Sequence, residues 1–202
     1  MKIAFFSDTH GTLSEIITHY DFSDIELCVF CGDCYESDFE ELKYLNIPKI
    51  GIEGNHPAYE ESNLKRDVFE EYGIINISWR EFDFQGVKFF GIPKMSYIML
   101  EGIIAGAKTY SSNNNRVSEE SERLFENIKK LHGVKPDILI SHFPAFGIMD
   151  SEDFSHRLRF LRELLDSENV PKLLVHHLHE QKEINIGRTN VIQVFPVRII
   201  EA

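Results

Sequence analysis

The stretch Lys2-Ile3-Ala4-Phe5-Phe6-Ser7-Asp8-Thr9-His10 decides the fold. An apolar run of strand length, residues 2–6, ends by delivering an aspartate and a histidine spaced one residue apart. On an extended segment, side chains two residues apart share a face, so Asp8 and His10 are predicted to reach one cation together. Four further islands repeat this pattern. Gly32-Asp33 follows an apolar run at 25–30, Gly54-Asn55-His56 follows 49–52, Ser141-His142 follows 138–140, and His177-Leu178-His179 follows 173–175. Metal-ligating side chains therefore stand where strands end and loops begin, the place where open α/β sheets keep their sites.

The segments between the islands read as crossovers and turns. Ser37 and Glu40 have capping-box spacing, which predicts a helix over 38–45. Leu64, Val68 and Tyr72 recur at helical spacing, and Gly73 supplies a stop. Over 79–92 the pattern changes to alternation, with Phe82 and Phe84 before a Gln85-Gly86 turn, and predicts a β-hairpin. Residues 95–116 end in the polar run Ser111-Ser112-Asn113-Asn114-Asn115-Arg116, read as a loop. Ser118 is expected to cap a helix carrying Leu124, Ile128 and Leu131 on one face, and a further helix is expected over 154–165. A hairpin is expected beyond His179.

The order D-x-H, G-D, G-N-H, H, H-x-H over Asp8 to His179 resembles the signature of the calcineurin-like metallophosphoesterases. The resemblance implies an α/β fold in which a two-sheet β-sandwich is flanked by helices. It also implies two divalent metal ions: one held by Asp8, His10 and His179, the other by Asn55, His142 and His177, with Asp33 bridging them. Imidazoles, carboxylates and one amide oxygen suit Mn²⁺ first, with Fe, Zn²⁺ or Ni²⁺ as alternatives, rather than Ca²⁺, which takes oxygen throughout. The expected reaction is hydrolysis of a phosphodiester or phosphomonoester by a metal-bridging hydroxide. In the family the histidine of G-N-H, here His56, faces the scissile phosphate and serves as the catalytic acid or as a stabilising imidazolium. Glu36 stands where serine/threonine phosphatases keep the acid that orients this histidine. Arg116 is a candidate substrate contact.

Departures from the pattern narrow the substrate. Ser37 occupies the place of the arginine that serine/threonine phosphatases carry after the orienting acid, which demotes a phosphoprotein phosphatase. Purple acid phosphatases place a tyrosine where this chain has Glu36, and they lack the histidine found here at His10. His176 replaces the glycine normally before H-x-H and is expected to point away from the metals, since successive side chains in an extended segment alternate.

Composition sets the outer limits. The chain has 202 residues, 43% of them hydrophobic and 12% aromatic, enough for one core, so residues 1–202 are read as a single domain. A formal charge of -12 disfavours nucleic acid as partner, because a broad acidic surface repels a polyanion. Two divalent ions, roughly +4 in all, still leave a locally positive centre, so a small phosphorylated substrate remains compatible with that charge. No apolar stretch approaches the ~18 residues that span a bilayer, and no signal segment precedes residue 2, so a soluble cytoplasmic protein with no membrane partner is expected. Cys28, Cys31 and Cys34 do not form a disulfide framework. Cys28 and Cys31 are expected to point to opposite faces of their strand as packed thiols, and Cys34 to lie near the metals in an oxidisable position. Two other readings accompany the enzyme: an interaction scaffold on a phosphoesterase fold, and a nuclease.

Overall fold

In the computed structural model, residues 1–43, 45–55, 68–94, 115–149, 158–167, 172–175 and 179–202 are described. Strands β1 (Lys2–Phe6), β2 (Leu27–Phe30), β3 (Lys49–Gly51) and β4 (Ile74–Asn76) pair in parallel. At the far edge β11 (Val197–Glu201) lies antiparallel to β1, giving the order β11-β1-β2-β3-β4. The second sheet runs β5-β6-β7-β8-β10-β9. Its members are β5 (Glu81–Phe84), β6 (Val87–Ile92), β7 (Ile138–Ser141), β8 (Lys172–Val175), β9 (Lys182–Ile186) and β10 (Thr189–Gln193). Here β6, β7, β8 and β10 are parallel, and the edge strands β5 and β9 are antiparallel to their neighbours.

Strand alternation separates the core into layers. Ile3, Phe5, Leu27, Val29 and Cys31 point inward and meet Phe89, Ile138, Ile140 and Ile192 of the other sheet. Their alternates Ala4, Phe6, Cys28 and Phe30 face outward. They pack under helices α1 (Leu13–Ile17), α2 (Glu36–Leu42) and α3 (Val68–Glu71), through Leu13, Phe39, Leu42 and Phe69. On the other side, helices α4 (Asn115–Gly133) and α5 (Arg159–Asp166) cover Phe90, Ile92 and Leu139 with Leu124, Leu131, Leu161, Leu164 and Leu165. The result is the expected sandwich of two sheets flanked by helices.

The sheets approach closely at Gly91 of β6. A Cβ there would stand 2.4 Å from Ile52 Cγ2 and 2.7 Å from the Ile77 carbonyl, so no larger residue fits. Trp79 N–H donates to the Gly91 carbonyl at 2.7 Å, which ties the chain leaving β4 directly to the second sheet.

Several local expectations are corrected. Helix α2 begins at Glu36 with Tyr35 as its N-cap, so Ser37 lies inside the first turn. Asp38 takes the reciprocal place in the cap, its Oδ2 accepting the Tyr35 N–H at 2.8 Å. Helix α4 begins at Asn115, upstream of Ser118, so Arg116 belongs to a helix and not to a loop. The rest of the expected loop, residues 95–114, lies outside the described residues. Helix α5 begins at Arg159, inside the span expected from 154 onward. The short strand β4 and the return of β11 to the first sheet had not been foreseen. The Phe82/Phe84 hairpin and the hairpin after His179 form as expected, as β5–β6 and β9–β10.

Candidate metal centre

Parallel strands bring their carboxyl ends to one edge, and the loops leaving β1, β2, β3 and β7 gather there. The loops after β1 and β2 are tied together by backbone hydrogen bonds: Cys31 N–H to Phe6 O (2.8 Å), Asp8 N–H to Gly32 O (3.1 Å) and His10 N–H to Asp33 O (3.3 Å). Within them Asp8, His10 and Asp33 all have positive φ, at 52°, 44° and 51°. Aspartate and histidine tolerate this left-handed region better than most residues, yet each such residue costs on the order of 1–3 kcal/mol. The segment from Asp8 to His10 is therefore kinked and not extended. It is the kink that aims both side chains.

The first group comprises Asp8, His10 and His179, whose ligand atoms all lie within 4.8 Å of one another. His10 Nε2 is 3.8 Å and His179 Nε2 is 3.6 Å from Asp8 Oδ1. The other carboxylate oxygen, Asp8 Oδ2, accepts the Ser7 hydroxyl at 2.7 Å, leaving Oδ1 turned to the imidazoles. The His179 ring stacks on Phe195, with centroids 4.9 Å apart and planes 2° from parallel. Tyr35 meets the His10 ring edge-on at 5.3 Å.

The second group joins buried Asp33 and His142 to half-buried Asn55. His142, with no exposed surface, points Nδ1 at the Cys31 carbonyl (3.0 Å) and Nε2 at Asn55 Oδ1 (2.6 Å), with Asp33 Oδ1 3.6 Å away. A carbonyl can only accept, so Nδ1 carries a proton, and in the neutral form of the ring Nε2 is the atom with a lone pair to offer. That nitrogen is directed at one amide oxygen and one carboxylate oxygen. Such a convergence is what a cation relieves, so the donor set fits a metal ion. Close approach here rests on two glycines. A Cβ on Gly32, whose φ is 112°, would fall 2.3 Å from His142 Nδ1, and one on Gly54 would fall 2.0 Å from Asp33 Oδ1.

Of the residues expected at the site, Asp8, His10 and His179 come together, and Asp33, Asn55 and His142 come together. His56, His176 and His177 lie outside the described residues, as does the Arg116 side chain. Glu36 is half-buried at the start of α2, where its Oε1 accepts the Tyr72 hydroxyl at 3.1 Å. The same hydroxyl donates to Glu40 at 2.7 Å, and these carboxylates push the Tyr72 pKa upward. Cys28 and Cys31 do face opposite sides, in separate core layers. Cys34 is buried beside Asp33, as its expected place near the metals requires, and burial and then Asp38 push its thiol well up, which disfavours the oxidation expected of it.

Sequence reasoning passed over Ser7, Phe195 and above all Asp38. The Asp38 carboxylate is buried and accepts four hydrogen bonds: Oδ2 from the Thr9 hydroxyl (2.6 Å), Gly11 N–H (2.9 Å) and Tyr35 N–H (2.8 Å), and Oδ1 from Leu13 N–H (3.0 Å). Ser7 was legible only by its place beside Asp8, and Asp38 only as the third residue after a helix cap.

Comparison with known proteins bears on this geometry. No curated protein sequence matches the chain significantly. By shape it is similar to a phosphopantetheinyl hydrolase from Mycobacterium tuberculosis, with a TM-score of 0.64 at 14% identity over 96% of this chain and 90% of that one. It is similar also to a dimetal phosphatase from Danio rerio, with a TM-score of 0.65 at 12% identity over 96% and 87% of the two chains. A third likeness is to an archaeal phosphodiesterase, with a TM-score of 0.52 at 15% identity over 100% and 93%. At such identities these structures show a shared fold. The family profile of the calcineurin-like phosphoesterases matches residues 1–181, all but the last three strands of the chain. The chain belongs to the calcineurin-like phosphoesterases, metal-dependent hydrolases of phosphate esters.

Proposed function

We propose that this protein is a dinuclear phosphoesterase that hydrolyses a small phosphorylated molecule, a phosphodiester or phosphomonoester, in the cytoplasm. The observation that carries the proposal is the convergence of His142 Nε2, Asn55 Oδ1 and Asp33 Oδ1 beside the cluster of Asp8, His10 and His179. We take Asp8, His10 and His179 as one ligand set and Asn55, His142 and His177 as the other, with Asp33 shared and Mn²⁺ as the favoured metal. When bound, such ions supply Lewis acidity toward phosphoryl oxygens and a nucleophile from water near neutral pH.

The chain's own residues then have distinct tasks. The Cys31 carbonyl fixes the tautomer of His142, so its Nε2 stays a ligand and does not become a donor. Ser7 holds Asp8 so that one oxygen faces the two imidazoles. His56, beside Asn55 in sequence, delivers the proton to the leaving oxygen. Glu36 serves as the orienting acid and Arg116 as a phosphate contact. Residues 1–202 act as one domain, a reading supported by β10 pairing with β8 and β11 with β1 beyond the family match.

The test is hydrolysis of nitrophenyl phosphate mono- and diesters with added Mn²⁺. Activity is expected to fall at least a hundredfold in His56→Ala and Asp33→Ala. Turnover that survives both substitutions refutes the mechanism, and two bound metals without turnover on a broad panel of esters would point to the scaffold reading instead.

A further inference from the structure

Three residues of the centre, Asp8, His10 and Asp33, stand in a backbone conformation that each would leave if free to do so. Something must hold them there. The β1 and β2 loops are bonded to one another, but a pair of loops tied only together can shift together. A third, rigid element has to fix both, and among the described residues the Asp38 carboxylate touches both.

Its four donors are distributed in a telling way. The Thr9 hydroxyl lies between Asp8 and His10, and Gly11 N–H follows His10 directly. Tyr35 N–H lies two residues after Asp33, and Leu13 N–H opens α1. Asp38 itself sits in the first turn of α2, whose Phe39 and Leu42 are locked in the apolar layer against Phe30 and Phe6. A carboxylate is suited to the task because it carries about four lone-pair sites and no proton. Hydrogen bonds from backbone N–H groups to a charged acceptor are also stronger than neutral ones. The buried charge is met by four donors, as a buried carboxylate requires.

We propose that Asp38 is a positioning residue, a clamp that holds the Asp8-Thr9-His10 and Asp33-Cys34-Tyr35 loops in the kinked form needed to ligate metal. This rests on the dinuclear reading above. Asp38 touches neither metal nor substrate. It sets the affinity of the centre through the backbone of two ligand loops, in the way outer hydrogen bonds set metal affinity elsewhere, by about 10–100-fold.

The experiment is Mn²⁺ titration of the metal-free full chain by calorimetry, with circular dichroism and thermal melting of the same samples. Asp38→Asn keeps the size but turns an amide N–H₂ toward one of the donors, so Mn²⁺ affinity is expected to fall at least tenfold while the spectrum stays native. Thr9→Val removes one donor to the clamp and Thr9→Ser keeps it. The valine variant should lose several-fold in affinity and the serine variant should recover the wild-type value, a contrast that decides the matter even where Asp38→Asn does not fold. Wild-type affinity in folded Asp38→Asn, or in Thr9→Val, overturns the clamp alone. A wild-type chain that takes up no Mn²⁺ overturns the metal reading and the clamp with it.

Discussion

Gly54→Ala probes how tightly the centre is built. The added Cβ would lie 2.0 Å from Asp33 Oδ1 and 2.2 Å from Asp33 N, where ordinary contacts begin at 3.4 Å. Rotating the carboxylate away relieves the first clash and forfeits its aim at His142. The second clash is with backbone, and that backbone is held to the loop after β1 by the hydrogen bond from His10 N–H to Asp33 O. The loop after β3 must therefore retreat by more than 1 Å, and it carries Asn55. A displacement of about 1 Å at a reacting centre costs on the order of a hundredfold in rate. Overpacking of this kind also costs about 1–3 kcal/mol of stability, or about 2–12 °C in melting temperature for a chain of this size. The assay is kcat/KM for a nitrophenyl phosphodiester with Mn²⁺, alongside a thermal melt. Gly133→Ala is the control, since a Cβ there meets nothing within 4 Å, at the end of α4. Alanine at that position is expected to leave activity unchanged and to stabilise by up to about 1 kcal/mol. A Gly54→Ala enzyme within threefold of wild type would refute the claim that the Asp33–Gly54 contact sets the geometry.

Two other outcomes follow from the same structure. Mn²⁺ at a hundred times its dissociation constant should stabilise the fold by about 2.7 kcal/mol, raising the melting temperature by about 5–11 °C; addition of a chelator should reverse the rise, and a melt insensitive to Mn²⁺ would count against a metal centre. Burial pushes the Cys28 thiol from 9.0 up to about 12, so the folded state keeps a proton that the unfolded chain releases. The stability that this proton contributes is fully present below pH 9 and is lost as pH rises toward 12, at no more than about 1.4 kcal/mol per pH unit. Thermal melts between pH 9 and 11 should therefore fall less steeply for Cys28→Ala than for wild type, and parallel slopes would exclude this thiol as the cause.

The strands that carry ligands were legible because burial on both faces makes them short, continuous apolar runs, and because Asp8, Asp33, Asn55 and His142 each stand two or three residues after such a run. The layer assignment of Cys28 and Cys31 was legible for the same reason, since strand alternation leaves no choice once the strand is known. Strand β4 was not, because it is three residues long at a sheet edge, with Ile74 buried and Ile75 half exposed, too brief to show a period. The placement of β11 was equally hidden. Its partner β1 lies at the opposite end of the chain, and no local pattern encodes a pairing between Lys2 and Glu201.

The start of α2 shows most clearly why part of the site could not be read. Ser37 and Glu40 have capping-box spacing, and so do Tyr35 and Asp38, two residues earlier. Local propensity favours the first pair, since serine is a far better cap than tyrosine. The structure takes the second because Asp38 has other obligations. Its carboxylate must reach Thr9, Gly11 and Leu13, donors 25 to 29 residues away in sequence. Those donors exist only because the chain after β1 is kinked at Asp8 and His10. An extended segment, rising about 3.3 Å per residue, would have carried Gly11 away from α2 and Thr9 to the opposite face. The extended reading of Asp8-Thr9-His10 and the late start of α2 are thus one error with one cause. The kink and the helix start meet at a buried carboxylate whose partners only the folded chain supplies.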